Sequence, residues 1–185
     1  MYPFLRIARE LAARGHRVTV LGPQAHAAMA AAAGVAFHGL GTEAEYAAVL
    51  EHPDIWHPRK GFGVLWRGLR TGLERLDEFV ADLPRDVPCA LLAHPLALPS
   101  ADLARAARPG LRIVAAWLAP TNLRTVHDPL TIGPLRIPAW LPLAWRRRLW
   151  RQVDATVIDP VALPDLNAAR TRRGLAPAAD RKSVV

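Results

Sequence analysis

The chain has one cysteine, Cys89, among its 185 residues. It can therefore form no internal disulfide and no multi-cysteine metal site. Cys89 lies inside an apolar run, where a buried thiol in a reducing compartment is the simple reading. Long apolar runs are missing too: none reaches the roughly 18 to 20 residues of a membrane span, and no secretory leader pattern is visible. Zinc-finger, RRM-like and Walker spacings are absent, which removes the usual sequence signs of nucleic-acid or nucleotide-phosphate binding. There is no internal repeat and no low-complexity linker.

Hydrophobic residues make up 51% of the chain, and helix-like and strand-like patterns alternate along it, which suits one globular α/β domain with a full core. The net charge of +8 would suit nucleic acid or an anionic membrane surface. The arginines, however, are spread over most of the predicted helices, and only Arg146, Arg147, Arg148 and Arg151 cluster. General arginine abundance is the favoured account, and no nucleic-acid partner is expected.

The first stretch organises the rest. Phe4, Ile7, Ala8, Leu11 and Ala12 recur at helical spacing opposite Arg6, Arg9, Glu10 and Arg14, giving an amphipathic helix over residues 3–14 that Gly15 stops. Residues 18–21 then form a short apolar strand bounded by Gly22 and Pro23. This is the second half of a βαβ unit, and the helix is expected to lack the first strand of the sheet it needs. Further strands are predicted over 35–38, 87–93 and 111–118, the last two buried on both faces. Helices are predicted over 24–33, 42–50, 60–83, 100–108, 145–158 and 164–173. Thr42 with Glu45 has capping-box spacing, and Ser100 is a candidate N-cap. Residues 119–142 are irregular and proline-rich, a length of loop that is usually functional or mobile. Within them His127 and Asp128 are adjacent, and loop structure is favoured over a dyad. The alternation predicts a doubly wound parallel sheet.

The segments YPFLRIARELAARGHRVTVLGP, GVAFHGLG, PDIWHPRKGF, LLAHPLALPSADLARA, WLAPTNLRTVHDP and LNAARTRRGLAP together resemble the N-terminal domain of GT-B glycosyltransferases. The likeness is to the family 28 type, with bacterial rhamnosyltransferase-like and sterol-glucosyltransferase-like members. The resemblance runs to about Pro177. It implies a Rossmann-like domain, residues 1–179, that binds the acceptor, facing a second domain that holds a UDP- or dTDP-sugar. Ligands would gather at the carboxyl ends of the strands. It implies transfer of a hexosyl group to a hydroxyl of a lipid, sterol or polyketide-like acceptor, with no metal and no other cofactor.

Two departures bear on that implication. In the family an Asp or His at the end of the first strand serves as general base. Here Met1-Tyr2-Pro3 aligns with the end of that loop, so the base is expected just upstream of Met1, as if a valine codon had been read as a start. The donor domain is expected beyond the other end. Residues 180–185, DRKSVV, resemble a translated sequencing adapter and are expected to be a non-native tail. No catalytic residue is expected within the chain, and the chain alone is expected to be inactive.

The candidate acceptor-binding or supporting residues are His94, Asn122, Trp56, His57 and Arg124. His94 follows a predicted strand; it reads equally as an acceptor contact or base support and as a histidine capping a strand end. Asn122 and Arg124 follow the last strand and would border the cleft, although a loop arginine is more often solvated. Trp56 and His57 would line an acceptor pocket, or Trp56 would anchor the loop on the core. Trp140, Trp145 and Trp150 beside the arginine cluster suit a membrane interface, but helix packing on the sheet is the cheaper account. The expected location is the cytoplasm, with peripheral contact at the inner membrane face. The runner-up function is a non-catalytic small-molecule or partner-binding α/β module.

Overall fold

Spacing decides the first helix, α1 (Tyr2–Ala13), whose Leu5 and Ala8 are buried against Val20 and Val35. The structure, a computed structural model, describes residues 1–118, 125–127, 131–132 and 135–179. Gly15 ends α1 with φ 87, and the His16 N–H donates back to the Leu11 carbonyl at 3.2 Å. Only a residue without a Cβ takes this left-handed turn at no steric cost.

β1 (Thr19–Gly22) pairs in parallel with β2 (Ala36–Gly39), with α2 (Ala27–Ala32) as the crossover. β3 (Ala90–Ala93) pairs in parallel with β4 (Arg112–Ala115) through α5 (Leu98–Ala107). The architecture is mixed α/β, as expected. A single doubly wound sheet is not present among the described residues, because no ladder joins β1–β2 to β3–β4. Side chains bridge the two pairs instead. Leu76 and Val80 of α4 (Gly61–Ala81) share one cluster with Leu21 of β1, with Leu91 of β3 and with Ile113 of β4. Burying a side chain of this size contributes about 1.5–3 kcal/mol, so α4 holds the pairs together without backbone bonds between them.

Two predicted strands are shorter than their apolar runs, and β3–β4 is not covered on both faces. Leu91 and Ile113 face the helices, whereas Val114 on the other face is 53% exposed. Residues alternate sides along a strand, so one face can be buried while the other stays open.

α3 (Glu43–Leu50) has the full capping box: Thr42 Oγ1 accepts from the Glu45 N–H at 3.1 Å, and Glu45 accepts from the Thr42 N–H at 2.7 Å. α3 and the turn before it then approach α4 closely at two glycines. A Cβ at Gly68 would strike Val49, and one at Gly72 would sit 3.0 Å from the Leu40 carbonyl oxygen. α5 starts earlier than predicted. His94 caps a 3-10 turn, Pro95–Ala97, that runs straight into it, so Ser100 is buried inside the helix rather than capping it.

The last two predicted helices form one bent rod. α6 (Leu143–Val153) passes through a π-helical turn, Asp154–Ile158, into α7 (Asp159–Arg172). Pro160 lacks an N–H and its ring crowds the preceding turn, so the widened turn absorbs a residue that would otherwise break the helix. α7 crosses α4 and α5 through polar contacts. Trp66 Nε1 donates to Asp165 at 3.0 Å, and Arg170 pairs with the largely buried Asp102 at 2.7 Å. Beyond α7, the Asn167 side chain holds both the N–H and the carbonyl of Ala178.

Arg146 does not belong to the surface cluster. It is buried, and its guanidinium donates to the carbonyls of Leu141 at 2.9 Å, Val126 at 3.0 Å, His127 at 3.1 Å and also Ala139. Irregular chain leaves carbonyls without ladder partners, and one five-donor fork satisfies several. A short antiparallel pair, β5 (Thr131–Ile132) with β6 (Leu135–Arg136), lies within the stretch predicted as loop.

Candidate functional site

The carboxyl end of β3 carries His94 in an extended conformation, and its Nδ1 accepts the Leu96 N–H at 3.3 Å. That bond fixes the ring chemistry. With Nδ1 an acceptor, the proton of the neutral imidazole sits on Nε2, which can donate to an oxygen but cannot take a proton from one. Burial first, and then the positive amino terminus of Met1, hold the His94 pKa below its ordinary 6.5, so the neutral form prevails at neutral pH. The Phe4 ring at the start of α1 lies 6.4 Å from the His94 ring, tilted by 59°.

The β3–β4 ladder continues one bond past the paired residues, with the Ala116 N–H donating to the Ala93 carbonyl at 2.8 Å. Trp117 and Leu118 therefore follow directly beside the His94 end of the sheet. They are 40% and 41% exposed. The carboxyl end of β1 leads to His26, whose ring meets Tyr46 edge-on at 5.3 Å. Burial and the Met1 amino terminus lower its pKa as well. His94 Nε2 is thus a fixed N–H donor with the half-buried Phe4 ring beside it, and the exposed Trp117 and Leu118 follow β4 at the same strand end.

The chain was compared with protein-family models, curated proteins and solved structures. None matched.

Trp56 and His57 sit apart from His94, in the loop before α4. Trp56 is 86% exposed and does not anchor its loop to the core. His57 Nδ1 accepts the N–H groups of Arg59 at 3.2 Å and Lys60 at 3.3 Å, which orders the entry to α4. α4 runs against the strand direction, and at 1.5 Å per residue its first residue stands about 22 Å along the axis from Leu76, which packs at strand level. Trp56 and His57 lie in the loop that enters α4 at this far end. Asn122 and Arg124 lie outside the described residues, as do residues 180–185.

Described residues form surface depressions on two helices' flanks. One, of about 440 Å³, runs along the outer side of α1 from Pro3 to Arg14. Another, of about 390 Å³, lies between α4 and α7, where Glu74 pairs with Arg172 at 3.3 Å and Asp77 with Arg173. Those pairings make the second an ion-pair seam. His94, Trp56 and His57 line neither. Among the described residues no group of three His, Cys, Asp or Glu side chains is placed to hold a metal ion, and no helix is long and apolar enough to cross a membrane.

Sequence reasoning missed Phe4, His26, Trp117 and Leu118. Phe4 fits the helical spacing of the core face, and Trp117 and Leu118 extend an apolar run. Both patterns predict burial, yet Phe4 is only half-buried and Trp117 and Leu118 are exposed past the strand end. The signal for Trp117 and Leu118 was the distance of the run past the length a four-residue partner strand can pair.

Proposed function

We propose that this chain is the acceptor-binding part of a glycosyltransferase that moves a hexosyl group from a nucleoside-diphosphate sugar to a hydroxyl of a lipid, sterol or polyketide-like acceptor. The reading is supported by one observation above the others: His94 at the carboxyl end of β3 carries one oriented donor, with the Phe4 ring beside it and the exposed Trp117 and Leu118 following β4 at the same strand end. A fused-ring or acyl body would rest on Phe4, Trp117 and Leu118, and His94 Nε2–H would donate to an acceptor oxygen, fixing its orientation. In the reaction the acceptor oxygen would attack the anomeric carbon, the bond from that carbon to the diphosphate oxygen would break, and configuration would invert. His94 serves as a positioning residue in this scheme. Its Nδ1 is occupied by Leu96, so the acceptor proton goes to another group.

The test is titration of the purified chain with hydroxylated sterols and polyketide aglycones on one side and UDP- and dTDP-sugars on the other, read by tryptophan fluorescence and calorimetry. Acceptor binding that weakens in His94→Ala and Trp117→Ala, with no nucleotide-sugar binding, is the expected result. Tight nucleotide-sugar binding, or sugar transfer by the chain itself, would overturn the assignment. Acceptor binding to this chain, with no transfer even when the complete enzyme is assembled, would favour the non-catalytic binding module.

A further inference from the structure

We propose that the solvent face of α6 is a docking surface for an anionic lipid bilayer. The inference rests on the exposed side of the α6 rod and is independent of the glycosyl-transfer reading. α6 and the turn before it read WLPLAWRRRLWRQV, with four arginines and no carboxylate. Arg146 is turned inward and spends its guanidinium on loop carbonyls. Arg147, Arg148 and Arg151 are exposed, and no ion pair among the described residues involves any of them.

At about 100° per residue, Arg147, Arg151 and Arg148 occupy one arc roughly 100° wide, and Trp145 follows about 60° beyond Arg148. Trp145 is 60% exposed, and Trp140 in the preceding turn is 79% exposed. The expectation that these rings pack on the sheet is not met. Leu149 and Val153, half-buried beside the buried Arg146, mark the inward side.

An arginine arc that makes no ion pair among the described residues, edged by two exposed indoles, matches the chemistry of a headgroup layer. Guanidinium groups pair with lipid phosphates, while indoles settle at the interface with ring buried and N–H hydrated. The exposed arc is cationic rather than apolar, so the helix lies on the headgroups without deep insertion. Each arginine at an anionic surface strengthens binding about fivefold, and three together on the order of a hundredfold.

The full chain is to be mixed with vesicles of phosphatidylcholine alone and of phosphatidylcholine with phosphatidylglycerol, and pelleted at rising salt. Binding to the anionic vesicles only, falling steeply with salt, is expected. The Arg147→Gln, Arg148→Gln, Arg151→Gln triple variant should bind on the order of a hundredfold more weakly with an unchanged far-UV circular dichroism spectrum, since these side chains hold no described partner. Trp140→Ala with Trp145→Ala should weaken binding in a way that high salt does not mask. Equal binding to both vesicle types, a triple variant that binds as wild type, or binding to a single-stranded oligonucleotide with none to vesicles would each overturn the proposal.

Discussion

Arg108 is the place where one substitution should cost the fold most without touching the candidate site. It caps the end of α5, is only 9% exposed, and points its guanidinium at the junction between α4 and β3. There it donates to the carbonyls of Leu83 at 3.0 Å, Pro84 at 2.7 Å and Val87 at 2.6 Å. All three acceptors are uncharged backbone groups in a turn that has few ladder bonds of its own. A hydrogen bond to a charged group contributes about 1.5–3 kcal/mol, offset by the cost of burying the guanidinium. Arg108→Met keeps much of the stem's packing, removes all three bonds and leaves the Leu83 and Val87 carbonyls dependent on water, with Pro84 keeping only the Val87 N–H at 3.4 Å. The expected loss is about 2–4 kcal/mol. Arg108→Lys restores the charge but not the planar fork, and a single ammonium cannot reach three separated carbonyls, so less than half the loss should be recovered. Urea unfolding at neutral pH, followed by circular dichroism, measures both variants. A methionine variant within about 0.5 kcal/mol of wild type, or a lysine variant matching wild type, would refute the fork as the source of the stabilisation.

Gly68→Ala should destabilise by about 1–3 kcal/mol, because the new methyl group meets Val49 across the α3–α4 contact. Val49→Ala in the same chain should recover most of that, and additive losses in thermal melts would disprove the contact. Thr42→Ala removes the α3 cap at a cost of about 1 kcal/mol, visible as a lower urea midpoint. The backbone bond at Thr42, then Arg75, hold the Glu45 pKa below its ordinary 4.5. Its contribution is therefore present above the usual glutamate range and fades as pH falls through the lowered value, so Glu45→Gln should flatten stability across that acidic window. His94 titrates below 6.5 in the folded chain. The unfolded chain takes up the proton first, so stability should drop as pH falls from about 6.5 toward the lowered folded value. In His94→Asn, whose side-chain oxygen can still accept the Leu96 N–H, that part of the drop should vanish; an imidazole resonance titrating at or above 6.5 would contradict the assigned environment.

Local physics made much of this chain legible. The capping box of α3 needed only Thr42 and Glu45 at the right separation, and the end of α1 needed only Gly15, because both are settled within a few residues of backbone. The four strands were legible from their apolar runs, since a short β-branched or leucine-rich stretch between breakers has few other uses. What lay beyond the sequence was decided by neighbours distant along the chain. Whether β1 and β3 join one ladder depends on what lies between their edges, and α4 bridges them with side chains where backbone bonds do not. Pro160 reads as a helix break, yet α7 and the turn before it pack on α4, and a widened turn carries α6 into α7 without a break. Arg146 and Arg147 are chemically identical neighbours. Helical rotation turns one onto loop carbonyls and the other to solvent, and only the direction of the core tells them apart. His94 was recognised as a strand-end histidine, but its role as a fixed donor follows from the Leu96 N–H, a bond that exists only once the chain has turned through Pro95 to start α5.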